Sequence, residues 1–592
     1  MKYANIYKLF CDRTSANRSK PIFYIRREGI WQPILWEKFE QDVYYFAQAL
    51  VSTGLKPGTS VCILMSNVPE WPIADVGTII AGGIGVGLYP TSSPEQCRFI
   101  IEHSDAEYVV VDTRTQLEKI LQVRNSLPKL RYLLVLDESC SSSEVIPFKT
   151  FLKMGEAANE ARREVINRAC AATAEDTAIM VYTSGTTGLP KGACLSHRYV
   201  INSCESLLET IPISPEDTSF SYLPYCHVAE RISGLYNRLY AGAPAYFVDD
   251  INKLWQYMQE VRPTVFGSLP RFYEKIHARI LADVEKSSQE DKELFYKVLD
   301  LGRHISHARQ AKQKVPEEVQ AEYDALARPV IEKVRGYFGG RIRIATSGGA
   351  PLPLEIAEFF DALGLPILQA YGLTENVCVA FNRPDNYRFG TVGPAMPGCQ
   401  IRIAEDSEIL VRSEMMFSGY YKEPEKTAEM FRDGWLLTGD LGELTEDGFL
   451  KITGRKKELI VTSTGKNVAP ALLENLLKEH HLISQAMAYG DGKSYITALI
   501  TLNQAETEEY ARSRGIEYGS FAELTKHPQI VSLVEQIVNA VNARVSSTEA
   551  IKKFVILDHD LSLEADEITP TLKIKRNVVA KNYGHLLEAL YS

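Results

Sequence analysis

Tyr182-Thr183-Ser184-Gly185-Thr186-Thr187-Gly188-Leu189-Pro190-Lys191-Gly192 follows directly on the apolar run Ala178-Ile179-Met180-Val181. Glycines let backbone amides turn inward, hydroxyls add further donors and one lysine adds positive charge, which together are the parts of a phosphate cradle placed after a strand. Phosphate binding is the first expectation. A Walker A loop ends in Gly-Lys-Ser/Thr, whereas this stretch ends in Pro190-Lys191-Gly192 and offers no hydroxyl after the lysine to hold magnesium. A P-loop NTPase is therefore disfavoured.

Outward from this loop, the chain repeatedly sets a helical pattern beside a short β-branched run, the mark of a sheet covered by helices. Phe39, Val43, Phe46 and Leu50 share one helix face, with Gly54 placed to end the helix. Buried strands are expected at residues 61–65, 108–111 and 133–136, and the fold class is α/β. From 274 to 336 the chain turns charged and helix-prone before alternation resumes at Arg341-Ile342-Arg343-Ile344, which reads as a helical insertion. Composition changes again near Arg455-Lys456-Lys457. The expected division is a large N-terminal domain of several subdomains, 1–455, and a small mobile α+β domain, 456–592.

The 592 residues carry a net charge of −10, so no general attraction to nucleic acid or anionic lipid is available. The longest apolar run, residues 76–88, is too short and too glycine-interrupted to span a bilayer. The N-terminus lacks a secretory pattern, so the expected compartment is the cytoplasm, with at most peripheral contact at the inner face of a membrane. None of the 10 cysteines forms a CxxC pair, which argues against zinc and disulfide frameworks.

Three further segments occur in order: Tyr371-Gly372-Leu373-Thr374-Glu375, Thr438-Gly439-Asp440 and Gly454-Arg455-Lys456-Lys457. With the 183–191 loop they resemble, over nearly the whole chain, the adenylate-forming superfamily of acyl-CoA synthetases, peptide-synthetase adenylation domains and firefly-type luciferases. On chemistry alone, Glu375 is a plausible oxygen ligand for magnesium and Thr374 a donor to phosphate, although a Thr-Glu pair more often caps a helix. Asp440 has the charge to accept ribose hydroxyls, and Ser347-Gly348-Gly349-Ala350-Pro351 offers a bare backbone against which adenine lies flat, with Tyr371 to stack. The resemblance implies these roles. It further implies nucleotide contacts from Thr183, Ser184, Gly185, Thr186, Thr187, Gly188 and Lys191, from Gln369, Ala370 and Gly372, and from Arg455, with Thr183 beside Glu375 at the metal.

Leu223-Pro224-Tyr225-Cys226-His227-Val228-Ala229-Glu230-Arg231, Leu269-Pro270-Arg271-Phe272-Tyr273-Glu274-Lys275 and Thr569-Pro570-Thr571-Leu572-Lys573-Ile574-Lys575-Arg576 look like motifs of the long-chain fatty acyl-CoA synthetase branch. Most of the superfamily has Ser-Gly-Lys where Thr571-Leu572-Lys573 stands, and the long-chain branch shares that departure. Lys573 is then the catalytic lysine and His227 lines the carboxylate end of the substrate site. Without a second histidine or a cysteine near Glu230, zinc is poorly supported there.

The implied reaction joins a long-chain fatty acid to ATP with Mg2+, giving acyl-AMP and pyrophosphate, and then passes the acyl group to the thiol of CoA or of the phosphopantetheine of an acyl carrier protein. In the family the small domain turns about a hinge, here Lys457, and brings Ser463, Thr464 and Gly465 to the thiol channel. Alternatives are an acyl-acyl carrier protein ligase, a fatty-acyl-AMP ligase, a non-catalytic nucleotide or fatty-acid binding protein, and a luciferase-like oxygenase.

Overall fold

The strand Thr177–Thr183, which leads into the loop, lies inside an eight-stranded sheet whose spatial order is 419–420, 191–196, 177–183, 84–87, 60–64, 108–111, 132–135, 145–147. From 177–183 outward to 145–147 all pairings are parallel, and helices Glu70–Ile80, Pro94–His103 and Arg114–Val123 make the crossovers. Alternate residues of one strand enter different cores. Val61 and Ile63 pack into one apolar cluster, whereas Cys62 and Leu64 pack into another on the opposite face, so the sheet is covered on both sides and its strands read as unbroken apolar runs. The computed structural model describes residues 1–183, 190–463, 466–569 and 573–591.

The strand expected at 108–111 is Tyr108–Val111, and those expected at 61–65 and 133–136 are Ser60–Leu64 and Tyr132–Val135. The helix through Phe39 and Leu50 is Trp36–Ser52, with Thr53 and Gly54 at its end. The apolar run at 76–88 is buried, divided between the helix Glu70–Ile80 and the strand Ile84–Gly87. Two boundaries differ from expectation. The strand expected from Arg341 is Ile344–Ser347, because the backbone amides of Arg343 and Ile344 both bond the carbonyl of Thr264 before the ladder begins. The helical stretch expected from 274 begins earlier, at Pro270, where proline fits the first helical turn that needs no N–H partner. It continues as Gln289–Gln310 and Glu317–Gly336.

Beside the large sheet stands a second, in the order 265–268, 344–347, 367–373, 376–381, with only the last pairing antiparallel. A five-stranded sheet follows, in which Trp435–Leu444 pairs with Leu450–Arg455. Beyond it the chain forms a three-stranded sheet of 483–489, 496–502 and 551–556 with helices including Pro470–Lys478, Pro528–Asn542 and Arg576–Ala589. The buried apolar residues from Ile460 onward form clusters of their own. Among the described residues no helix is long and apolar enough to cross a membrane, and all ten cysteines are free.

Candidate active site

Thr183 and Lys191 face each other across an antiparallel pair, so the glycine-rich loop closes a β-hairpin. The next element is the strand Lys191–Ser196, and any phosphate cradle here is not a helix N-terminus. Ser184, Gly185, Thr186, Thr187 and Gly188 lie outside the described residues.

Thr374 and Glu375 form the two-residue turn between strands Ile367–Leu373 and Asn376–Phe381, which excludes the helix-cap alternative. The turn is tight. A Cβ on Gly372 would meet the Val377 carbonyl oxygen at 2.0 Å, so only glycine allows the closure. Buried Tyr199 holds it from behind: its hydroxyl donates to the Thr374 carbonyl (3.0 Å) and accepts from the Val377 N–H (3.1 Å). Glu375 is 8% exposed, and one carboxylate oxygen accepts from the Tyr420 hydroxyl.

Ser347 and Gln369 are register partners on adjacent parallel strands, so residues 348–350 leave the sheet beside 370–372. Gln369 is buried and spends its side-chain oxygen on the Leu352 N–H, 3.2 Å away. A Cβ on Gly348 would lie 3.6 Å from the Ala370 carbonyl oxygen, so the two expected adenine walls are neighbours. Gly349 has φ +78°, and Ala350 follows it into the turn.

Asp440 and Arg455 are cross-strand partners, with Arg455 Nε donating to Asp440 Oδ1 at 2.7 Å. The Tyr371 hydroxyl donates to Asp440 Oδ2 at 2.5 Å. Three motifs separated in sequence thus meet on one carboxylate, whose oxygens each keep a lone pair for a ribose hydroxyl. Burial and the adjacent Asp440 charge push the Tyr371 pKa well up, so the phenol stays a donor.

Lys573 stands next to the antiparallel Ile568–Ile574 bridge, with the Thr569 N–H on the Lys573 carbonyl (2.7 Å) and the Lys573 N–H on Thr569 Oγ1 (3.0 Å). By accessible surface it is exposed, yet protein crowds it: desolvation first, and then the Arg455 charge, hold its pKa below that of a free lysine, against the opposing pull of Asp440 and Glu458. The Lys573 charge also reaches His227, whose pKa burial and this neighbour lower to about 4. His227 Nδ1 accepts from the Ala229 N–H (3.2 Å), which assigns the proton of the neutral ring to Nε2. Lys573 therefore stands within electrostatic reach of His227 and of the Asp440–Arg455 pair.

The AMP-binding enzyme family matches residues 11–421, and the C-terminal domain of AMP-binding enzymes matches residues 457–592. The chain belongs to the AMP-binding enzyme family. Over 581 residues this AMP-binding enzyme is 34% identical to the long-chain-fatty-acid–CoA ligase FadD15 of Mycobacterium bovis, covering 95% of this chain and 93% of the relative. It is 32% identical over 610 residues to the long-chain-fatty-acid–CoA ligase ACSBG2 of Gallus gallus, covering 96% and 78%. Among solved structures, the anthranilate CoA ligase AuaEII in complex with anthranoyl-AMP has a TM-score of 0.75 at 18% identity, over 99% of this chain and 98% of that one. The adenylation domain of a carboxylate reductase from Mycobacterium chelonae has a TM-score of 0.75 at 22% identity, over 100% and 92%. At these identities the likeness is one of fold.

Several residues that build the site of this AMP-binding enzyme carry no local signal. Tyr199 and Tyr420 act on Thr374-Glu375 from distant strands and helices. Glu230, weighed above as a zinc ligand, instead pairs with Arg238 and accepts from Ser221 (3.2 Å). Arg231 is 0% exposed and pairs with Asp75, to which the Tyr236 hydroxyl also donates (2.8 Å). These two ion pairs anchor the π-type helix Ala229–Tyr236 that begins beside His227. Lys457 lies exposed in the single turn Lys456–Glu458, while Lys456 pairs with Asp406 (2.6 Å) and Glu408 (2.9 Å). Ser463 is exposed with its N–H on the Lys493 carbonyl (2.8 Å), and Thr464 and Gly465 lie outside the described residues.

Among the described residues no three His, Cys, Asp or Glu side chains gather to cage a metal. Glu375 has one oxygen engaged by Tyr420 and the other without a hydrogen bond among the described residues. A single free carboxylate oxygen near a hydroxyl fits magnesium, which keeps several waters and takes its other ligands from nucleotide phosphates.

Proposed function

We propose that this AMP-binding enzyme is an AMP-forming long-chain fatty acid:CoA ligase. The reading is carried by the Tyr371–Asp440–Arg455 cluster, with Lys573 within electrostatic reach of it and of His227, in a chain that aligns over 95% of its length with a long-chain ligase.

Adenine lies against 348–350 with Tyr371 beside it, and Asp440 accepts from the ribose. Thr183 and Lys191 hold the β- and γ-phosphates. Magnesium held by Glu375 and Thr183 would neutralise phosphate charge. A fatty acid carboxylate then attacks the α-phosphorus, the bond to the bridging oxygen breaks, and pyrophosphate departs with that electron pair. Carboxylate and triphosphate repel, so the protein must align them and offset charge. Lys573 supplies the positive charge at the α-phosphate, and the neutral Nε2–H of His227 donates to the incoming carboxylate. In the second step a thiolate adds to the acyl carbonyl of acyl-AMP and AMP leaves.

For that step the small domain, which we place at 456–592, turns on Lys457. This removes Lys573 and brings residues 463–466 to the thiol. Phosphopantetheine on an acyl carrier protein presents the same thiol as CoA. The test is a panel of fatty acids crossed with CoA and holo-carrier protein, reading pyrophosphate and thioester. Release with long chains and transfer to CoA is expected. Activity confined to acetate or aromatic acids would overturn the substrate, and transfer to carrier protein alone would overturn the acceptor.

A further inference from the structure

Tyr420 sits between two groups of opposite charge. Its hydroxyl donates to Glu375, and its ring face carries the Lys191 ammonium, 4.9 Å from the centroid. Lys191 nevertheless makes no ion pair with Glu375 or with any other carboxylate among the described residues. The side chain is 8% exposed and well fixed. Its two-residue strand adds to the edge of the large sheet, with Tyr420 opposite Ala193, and the Tyr421 N–H bonds the Gly192 carbonyl (2.8 Å). The preceding Phe417 N–H bonds the backbone carbonyl of Glu375 (2.8 Å). Gly419 has φ +131°, and any Cβ there would lie 2.8 Å from Thr427 Cγ2; Thr427 Oγ1 in turn accepts from the Tyr420 N–H (2.9 Å). The backbone is thus tied to both motifs before the side chain acts.

We propose that Tyr420 is a positioning residue that keeps the phosphate-binding lysine and the metal-binding carboxylate apart. This rests on the reading of Glu375 and Lys191 given above. A lysine and a carboxylate on the same tyrosine would otherwise pair directly, and each would be lost to the nucleotide. An aromatic face attracts the ammonium without neutralising it, and a phenol satisfies one carboxylate oxygen while leaving the other for the cation. One side chain therefore holds both charges available and in register.

The experiment measures ATP binding to the full-length protein by calorimetry, with and without magnesium, and circular dichroism confirms each variant's fold. Tyr420→Leu removes the spacer, so Lys191 is captured by Glu375 and metal-free ATP binds about tenfold more weakly. Adding Glu375→Gln to that variant neutralises the captor and restores metal-free binding to within about twofold of wild type. A merely structural tyrosine would not be rescued in this way. Tyr420→Phe keeps the ring and is the safer fold: metal-free binding stays within about twofold, while the magnesium complex binds about fivefold more weakly. Unrescued loss in the double variant, or metal-free binding unchanged by Tyr420→Leu, overturns the spacer role. The metal assignment is judged separately: Glu375→Gln alone should abolish the gain in affinity that magnesium gives, and an intact gain would overturn that assignment without touching the metal-free result.

Discussion

Asp440 faces Arg455 across two paired strands and also takes the Tyr371 hydroxyl, so the carboxylate proposed for the ribose is held by three elements of the large N-terminal part. Lys573, by contrast, comes from the far end of the chain, next to the Ile568–Ile574 bridge, and acts on Arg455 and Asp440 through its charge. Close by in sequence, Arg576 is held within the small domain by Glu474 at 2.5 Å, and its guanidinium lies 3.8 Å from Glu458, in the turn that contains Lys457. On the proposed reading, the groups needed while AMP remains bound are fixed in sheets, and the group needed only while pyrophosphate leaves rides on a body with its own core. A fixed nucleotide site with a removable lysine suits two consecutive reactions, the first at the α-phosphorus and the second at the acyl carbonyl.

This contrast can be broken by substitution. The largest effect is expected from Lys573→Ala, which should slow acyl-AMP formation about a thousandfold by removing the charge aimed at the α-phosphate. Pyrophosphate release measures it, and a loss below about tenfold would contradict the assignment. Lys457→Pro should fix φ and restrict Lys456, trapping one orientation: thioester formation falls about a hundredfold while adenylation persists. Normal rates for both steps in single-turnover assays would leave Lys457 an ordinary surface lysine. Asp440→Ala should raise the KM about tenfold for ATP in adenylation and likewise for acyl-AMP in thioester formation, since the ribose is held throughout. An effect confined to kcat would place Asp440 elsewhere in the reaction.

The smallest effect concerns pH. His227 has its pKa lowered from 6.5 to about 4, as have His197, His277 and His480, all chiefly by burial. Between those values the unfolded chain binds more protons than the native one, so stability rises with pH across the window and is lost as pH falls from 6.5 toward 4. The urea midpoint should track this, and His197→Asn should flatten the slope by removing one of these groups. For activity, the neutral His227 predicts no limb near 6.5 in kcat/KM. A limb there that His227→Gln removes would show that the ring titrates in solution.

Much of this was legible before any coordinates. Strands such as Tyr108–Val111 show as apolar runs because both faces are covered, and the motif residues Glu375, Asp440 and Lys573 stand out by chemistry joined to resemblance. What stayed hidden is what depends on distant pairing. Nothing around Gly419-Tyr420 announces a strand, since two residues carry no periodicity and the partner at Ala193 lies on the other side of the second sheet in sequence. The same holds for Asp75, a carboxylate set among Ile73, Ala74 and Val76 in the helix interior, which makes sense only opposite Arg231. The strand Lys191–Ser196 after the glycine-rich loop carries little signal of its own, being short and half apolar.

The most direct test of a removable lysine on a fixed site is to supply acyl-AMP to Lys573→Ala and to Asp440→Ala, add CoA, and follow thioester formation in a single turnover. The account predicts that Lys573→Ala runs this step within about threefold of wild type despite its lost adenylation, while Asp440→Ala is impaired in both half-reactions. A folded Lys573→Ala protein that loses thioester formation as severely as adenylation would contradict it.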